Sequence, residues 1–179
     1  MDVADLKAEV LRRSKADQEV RQRMIGSPSA EDLESLRLVD AENLEWLREV
    51  VGQFGWPLRS LVGADGANGF WLLVQHADAD VDFQERCLGL LADAASIDEA
   101  DAKTLAYLTD RVRLARGEPQ VYGTQCDVRE GAFVPRPIED EQGVEERRKT
   151  VGLPPLAEYL EQMAAVYGDP AGYRSRPER

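Results

Sequence analysis

The sequence predicts a mainly α protein, an antiparallel helical bundle carrying one β-hairpin near residues 119–138. Long stretches of apolar residues at helical spacing predict the bundle, and a Val-, Tyr-, Phe- and Thr-rich segment folded around Arg129-Glu130-Gly131 predicts the hairpin. The 179 residues suit one domain with its own core, expected over 1–167, with 168–179 as a flexible C-terminal tail.

Asp2 can cap a first helix in which Val3, Leu6, Val10, Leu11, Met24 and Ile25 recur until Gly26-Ser27-Pro28 stops it. Ser29 with Asp32 reads as a capping box. A stripe of Leu33, Leu36, Leu44, Leu47, Val51 and Phe54 then defines the second helix. Joined by so short a link, the two should lie antiparallel with their stripes together. Gly52, Gly55, Pro57, Gly63 and Gly66 predict a punctuated loop over 52–66 that holds Trp56. The apolar run 67–76 is read as a helix by analogy with its neighbours.

Asp78, Asp80 and Asp82 supply caps and favourable charge for a helix from about 81 to Ala95, and the next is expected from Asp98 to about Arg116. The alternate aspartates resemble half of a calcium loop, but the glycine and bidentate glutamate of that loop are missing, so capping is the better reading. The hairpin arms are expected over 120–128 and 132–138, with Pro135 and Pro137 confining the second to an edge. Short helices over 144–151, closed by Gly152, and 155–167, opened by a proline, complete the chain.

Charge narrows the classes of function. With 34 acidic against 22 basic side chains the net charge is -12, a field that repels phosphate backbones and anionic lipid surfaces, so neither nucleic acid nor membrane is an expected partner. The amino end has no continuous apolar run of the signal-peptide kind, and the apolar stretch Phe70–Val74 is far too short to cross a bilayer. A cytoplasmic protein is expected. Cys87 and Cys126 read as buried small hydrophobes, and one histidine with two scattered cysteines predicts no metal site. No phosphate cradle, nucleophile elbow or dinucleotide fingerprint occurs, so no cofactor is expected.

Polar residues on apolar faces carry the functional reading. On a helical wheel Asp17 and Arg21 share the arc of Leu6, Val10 and Met24, while Asp40 and Asn43 fall between Leu36 and Leu47. Gln84 lies within the arc of Phe83, Cys87, Leu88 and Leu91. Burying such groups without partners costs several kcal/mol each, so they must pair with one another or face a wet pocket. His76, the lone histidine, stands at the end of an apolar element. With Gln75, Gln84 and the segment Tyr122-Gly123-Thr124-Gln125 it offers one titratable ring, a phenol and several amides, a set able to move a proton and orient a polar substrate. Asp110-Arg111 and Arg147-Arg148 could bind an anion, although such pairs are more commonly solvated; Arg111 is the better candidate, because its helix is apolar nearly all round.

The combination of Asp-Gln-x-x-Arg at 17–21, Gly-Trp-Pro at 55–57, Trp-Leu-Leu-Val-Gln-His at 71–76, Phe-Gln at 83–84, Asp-Arg-Val at 110–112 and Tyr-Gly-Thr-Gln at 122–125 resembles a bacterial family of single-domain proteins of unknown function, over about residues 5–167. Asp17, Arg21, His76, Gln84, Asp110, Arg111, Tyr122 and Gln125 match its motif positions, and the resemblance implies no particular reaction. The residues themselves predict a cofactor-independent acid/base enzyme for a small polar, anionic molecule. In that reading His76, Asp17 and Tyr122 handle protons while Arg21, Asp40, Asn43, Gln84, Arg111 and Gln125 bind substrate. The alternatives are an acidic interaction module for a basic protein partner and a small-ligand sensor.

Overall fold

The computed structural model describes residues 2–25 and 27–167; the expected tail at 168–179 lies outside the described residues. The described chain is mainly helical: α1 (Val3–Arg23), α2 (Ala30–Phe54), α3 (Arg59–Gln75), α4 (Val81–Ser96), α5 (Ala102–Ala115), the hairpin β1 (Cys126–Arg129) and β2 (Ala132–Pro135), then α6 (Val144–Thr150) and α7 (Leu156–Tyr167). It forms two compact units, the first comprising residues 2–24 and 28–105, the second, among the described residues, 25, 27 and 106–167.

In the first unit, the predicted capping box at Ser29 forms, and the predicted cap at Asp2 is a full capping box as well. Asp2 and Asp5 exchange side-chain bonds with each other's backbone at the head of α1, and Ser29 and Asp32 do so at α2. Contacts from Arg23 to Asp32, Arg21 to Asp40 and Arg13 to Asn43 descend α1 while ascending α2, so these helices are antiparallel. Along α3 the order is the opposite: Lys7 meets Asp65, Ser14 meets Gly69, and Asp17 meets His76, so α1 and α3 run in parallel. Val10, Leu47, Val62, Phe70 and Val74 are buried between these three helices, with Trp46 and Trp56 packed edge-on to Phe70 at centroid distances of 6.2 and 5.2 Å.

The expected loop over 52–66 is reduced to a turn at 55–58. Helix α2 continues through Gly52, because burial of Val50 and Val51 outweighs the roughly 1 kcal/mol that glycine costs a helix. Gly63 kinks α3 (φ 76°, ψ 168°) without ending it, and Gly66 and Gly69 serve close packing: a Cβ on Gly69 would stand 3.0 Å from both Ser14 Oγ and Val10 Cγ1. Asp80 caps α4 by accepting from the Phe83 N–H, as the acidic run suggested. The next helix begins later than expected: Asp98 adopts a left-handed turn (φ 60°), and Asp101 accepts from Lys103 N at the head of α5.

The second unit is built on a cluster of Cys126, Phe133 and Tyr159, joined by Tyr107, Val128, Leu156 and Met163. The hairpin turns at Glu130 and Gly131, both at positive φ, with Val128 opposite Phe133. Its first arm is shorter than predicted. Residues 120–125 leave the sheet to surround Asp110, apart from one isolated bridge between Gln120 and Ile138.

Candidate functional site

Helical periodicity places Asp17 inward from α1, and a separate event, the end of α3, brings His76 to it. Asp17 is fully buried, and its Oδ2 lies 2.9 Å from His76 Nδ1. Arg21, one turn along α1, sends Nε to Asp17 Oδ1 at 3.1 Å and Nη2 to Asp40 Oδ1 at 2.5 Å, crossing to α2. Gln18 donates a hydrogen bond from its side-chain Nε2 to Asp17 Oδ2 at 2.9 Å. Burial pushes the Asp17 carboxyl upward, but the hydrogen bond and charge of His76, with Arg21 and Gln18, outweigh burial and hold it below its ordinary value.

Arg21 Nε also lies 2.8 Å from His76 Nδ1. Arginine keeps its proton, so Nδ1 can accept from Arg21 only as the Nε2–H tautomer, and can donate to Asp17 only as the Nδ1–H form. The two arrangements exclude one another. A lone pair on Nδ1 would face the Asp17 carboxylate at 2.9 Å, so the geometry favours the Nδ1–H form, with Arg21 Nε turned to Asp17. In that form the ring's lone pair sits on Nε2.

Two further members of the expected inward set take other partners. Asn43, buried on α2, accepts from Arg13 Nη1 at 3.1 Å, and that guanidinium lies 4.9 Å over the Trp46 ring; the Asn43 Nδ2 has no acceptor among the described residues. Gln84 is fully buried and donates through Nε2 to Val74 O, Gln75 O and Asp78 Oδ1, at 3.0 to 3.1 Å. It closes the C-terminus of α3 and so fixes the turn that carries His76.

Arg111, Tyr122 and Gln125 belong to the second unit, where the organising group is Asp110. Its buried carboxylate accepts from the backbone N–H groups of Val121, Tyr122 and Thr124 at 2.7 to 3.0 Å and from Thr124 Oγ1 at 2.9 Å. Gln125 donates its amide to Thr124 Oγ1, and Tyr122 gives its carbonyl to Arg148 Nη1 at 2.6 Å. Gly123 takes positive φ (71°), and a Cβ there would meet Ile138 and Leu156.

Asp110 and Arg148 are therefore not the solvated surface groups that their sequence contexts suggested. Arg148 is fully buried, binds Pro154 O and Tyr122 O, and stacks 5.1 Å above Tyr159, while burial pulls its pKa below the usual value. Gln120, also buried, ties the same loop to Gln125 and Arg136 through both ends of its amide. A signal for two of these was present: Asp110 stands four residues after Ala106, and Arg148 four after Val144, each on the buried face of its helix.

Among the described residues no three His, Cys, Asp or Glu side chains gather into a possible metal site, and no helix is long and apolar enough to cross a membrane. Fold and cluster together define a mainly helical protein with one small hairpin and a buried carboxylate seated on its lone histidine. The chain belongs to the family of unknown function DUF6624, which it matches over residues 4–171. No curated protein and no solved structure matches it.

Proposed function

We propose that this protein is a cofactor-independent acid/base enzyme for a small polar, anionic molecule, with Asp17 and His76 as its proton-handling pair. The observation that carries the reading is the 2.9 Å contact between a fully buried Asp17 carboxylate and Nδ1 of an imidazole whose side chain keeps 15% of its surface exposed. A carboxylate in that position fixes the tautomer and ring orientation and stabilises the imidazolium formed when Nε2 takes a proton. Arg21, 26% exposed beside the ring, offers positive charge to an anionic reactant, and Asp40 steadies it. Hydrolysis, elimination and isomerisation all use such a proton transfer. Gln84 takes a supporting role through the turn it closes, and Tyr122, Gln125 and Arg111 are given no step.

The test pairs stability with turnover for His76→Gln. The variant is expected to keep its unfolding free energy to within about 1 kcal/mol. On a panel of small carboxylate and phosphate esters, the wild type is expected to turn over at least one compound, and the variant to be slower by about 100-fold or more. A loss of several kcal/mol with no turnover by the wild type would make the cluster a register-fixing network instead.

A second reading, an acidic interaction module for a basic protein, draws on the net charge of -12. Salt-sensitive capture of a basic partner, unchanged by His76→Gln, would favour it. Equilibrium binding of a panel compound without product would mark a sensor.

A further inference from the structure

A cavity of about 260 Å³ lies in the first unit, lined by Trp56, Arg59, Asn68, Trp71, Asp101 and Thr104 together with small and apolar side chains. None of these residues belongs to the Asp17–His76 cluster. The volume is below the roughly 300–1,000 Å³ of pockets that take drug-sized ligands and suits a molecule the size of an amino acid.

Its aromatic walls are held in place. Trp71 donates Nε1–H to the Thr104 carbonyl at 2.9 Å, and Trp56 packs perpendicular to Phe70. Three alanines, Ala64, Ala67 and Ala100, line the same space, where larger side chains would fill it. Trp56 Nε1–H is buried and finds no acceptor among the described residues.

The charges are the informative part. Arg59 is half-buried, yet its guanidinium forms no ion pair or hydrogen bond among the described residues. Glu99, whose charge it feels, engages its carboxylate with the Ser60 N–H at 2.8 Å. Asp101 accepts from Lys103 N at the head of α5 through Oδ1 and makes no ion pair with Arg59, although both side chains line the cavity. One cation and one anion thus border an aromatic cavity without neutralising each other.

We propose that this cavity binds a small zwitterion with a planar apolar group, of the aromatic α-amino-acid class. Its carboxylate pairs with Arg59, its ammonium faces Asp101, and its ring lies against Trp56 and Trp71. The assignment goes beyond the acid/base reading and does not depend on it.

Two of the three tryptophans line the cavity, so intrinsic fluorescence excited at its red edge reads occupancy directly. The probes are phenylalanine, 3-phenylpropionate, which lacks the ammonium, and 2-phenylethylamine, which lacks the carboxylate. Phenylalanine is expected to give a saturable change, with each truncated analogue weaker by about tenfold, the loss of one charge-assisted bond.

Arg59→Gln should weaken phenylalanine and phenylpropionate by about tenfold and leave phenylethylamine unchanged. Asp101→Asn, which keeps a capping side chain, should weaken phenylalanine and phenylethylamine instead. The absence of a saturable change with any probe overturns the proposal, as does equal binding of all three by the wild type, a comparison that needs no variant to fold. His76→Gln should leave phenylalanine binding unaltered, so failure here and failure of the acid/base reading are separate results.

Discussion

Asp17 Oδ2 and His76 Nδ1 lie 2.9 Å apart although 59 residues separate them in the chain, and the carboxylate they share with Arg21 has no exposure to solvent. Its native pKa is lowered from the ordinary 3.8. A carboxyl depressed on folding adds stability that is complete above its unfolded value and is lost as pH falls through the native one. Asp17→Asn should therefore be less stable than the wild type by about 3 kcal/mol at neutral pH, since one member of a buried charge cluster is gone. In denaturant titrations that gap should close as pH drops below the carboxyl range. A gap that persists there would mean that packing, rather than charge, is what Asp17 contributes.

Asp110 organises the second unit in a different manner, through four uncharged donors, three backbone N–H groups and the Thr124 hydroxyl. Asparagine at this position has one acceptor oxygen and turns an NH₂ toward donors that cannot all move. Thr124 can rotate its hydroxyl, but its backbone N–H cannot turn away. Asp110→Asn should lose about 2–3 kcal/mol, the cost of leaving buried donors unsatisfied. Hydrogen exchange should rise at the amides of Val121, Tyr122 and Thr124 ahead of those in α5. Uniform exchange across the unit would refute a role local to this loop.

How far the sequence disclosed these features depended on how local their causes are. Capping boxes at Asp2 and Ser29 involve residues three apart, and the turn at Glu130-Gly131 is written in its own dipeptide. Asp17, Arg21 and Asp40 were legible as an inward set because long amphipathic helices keep phase. That Asn43 would pair with Arg13, and that Gln84 would close α3, depended on which helices become neighbours, which periodicity leaves undetermined. Residues 120–125 have the composition of a strand, yet the pull of one carboxylate overrides that preference.

The glycines of α2, α3 and α4 look alike in sequence and differ in what surrounds them. At Gly69 a Cβ would stand 3.0 Å from Ser14 Oγ and Val10 Cγ1, whereas at Gly89, mid-way along α4, nothing lies within 4 Å. Gly69→Ala requires Ser14 and Val10 to yield by a few tenths of an ångström where α1 packs on α3, and should cost about 1–3 kcal/mol. Gly89→Ala adds only helix preference and should gain about 0.4–1 kcal/mol. Thermal melts of the two variants should move in opposite directions. A loss at Gly89 as large as that at Gly69 would show that backbone freedom, and not helix contact, decides both sites.

Cys87 and Cys126 are both buried, and burial pushes their thiols up to about 12 and about 11, with the nearby Arg148 only partly offsetting it at Cys126. The thiolate is the reactive form, so at neutral pH the folded protein holds almost none of it, and the surrounding side chains also bar a reagent's approach. Alkylation by iodoacetamide should be slow at both positions in the native state and become fast for both in denaturant. Cys87, fully enclosed on α4, should be modified only through opening of the first unit, and Cys126 through opening of the second. Peptide mapping during a slow labelling course then measures the two openings separately. Should the two cysteines label at one common rate that tracks global unfolding, the units would open as a single cooperative structure.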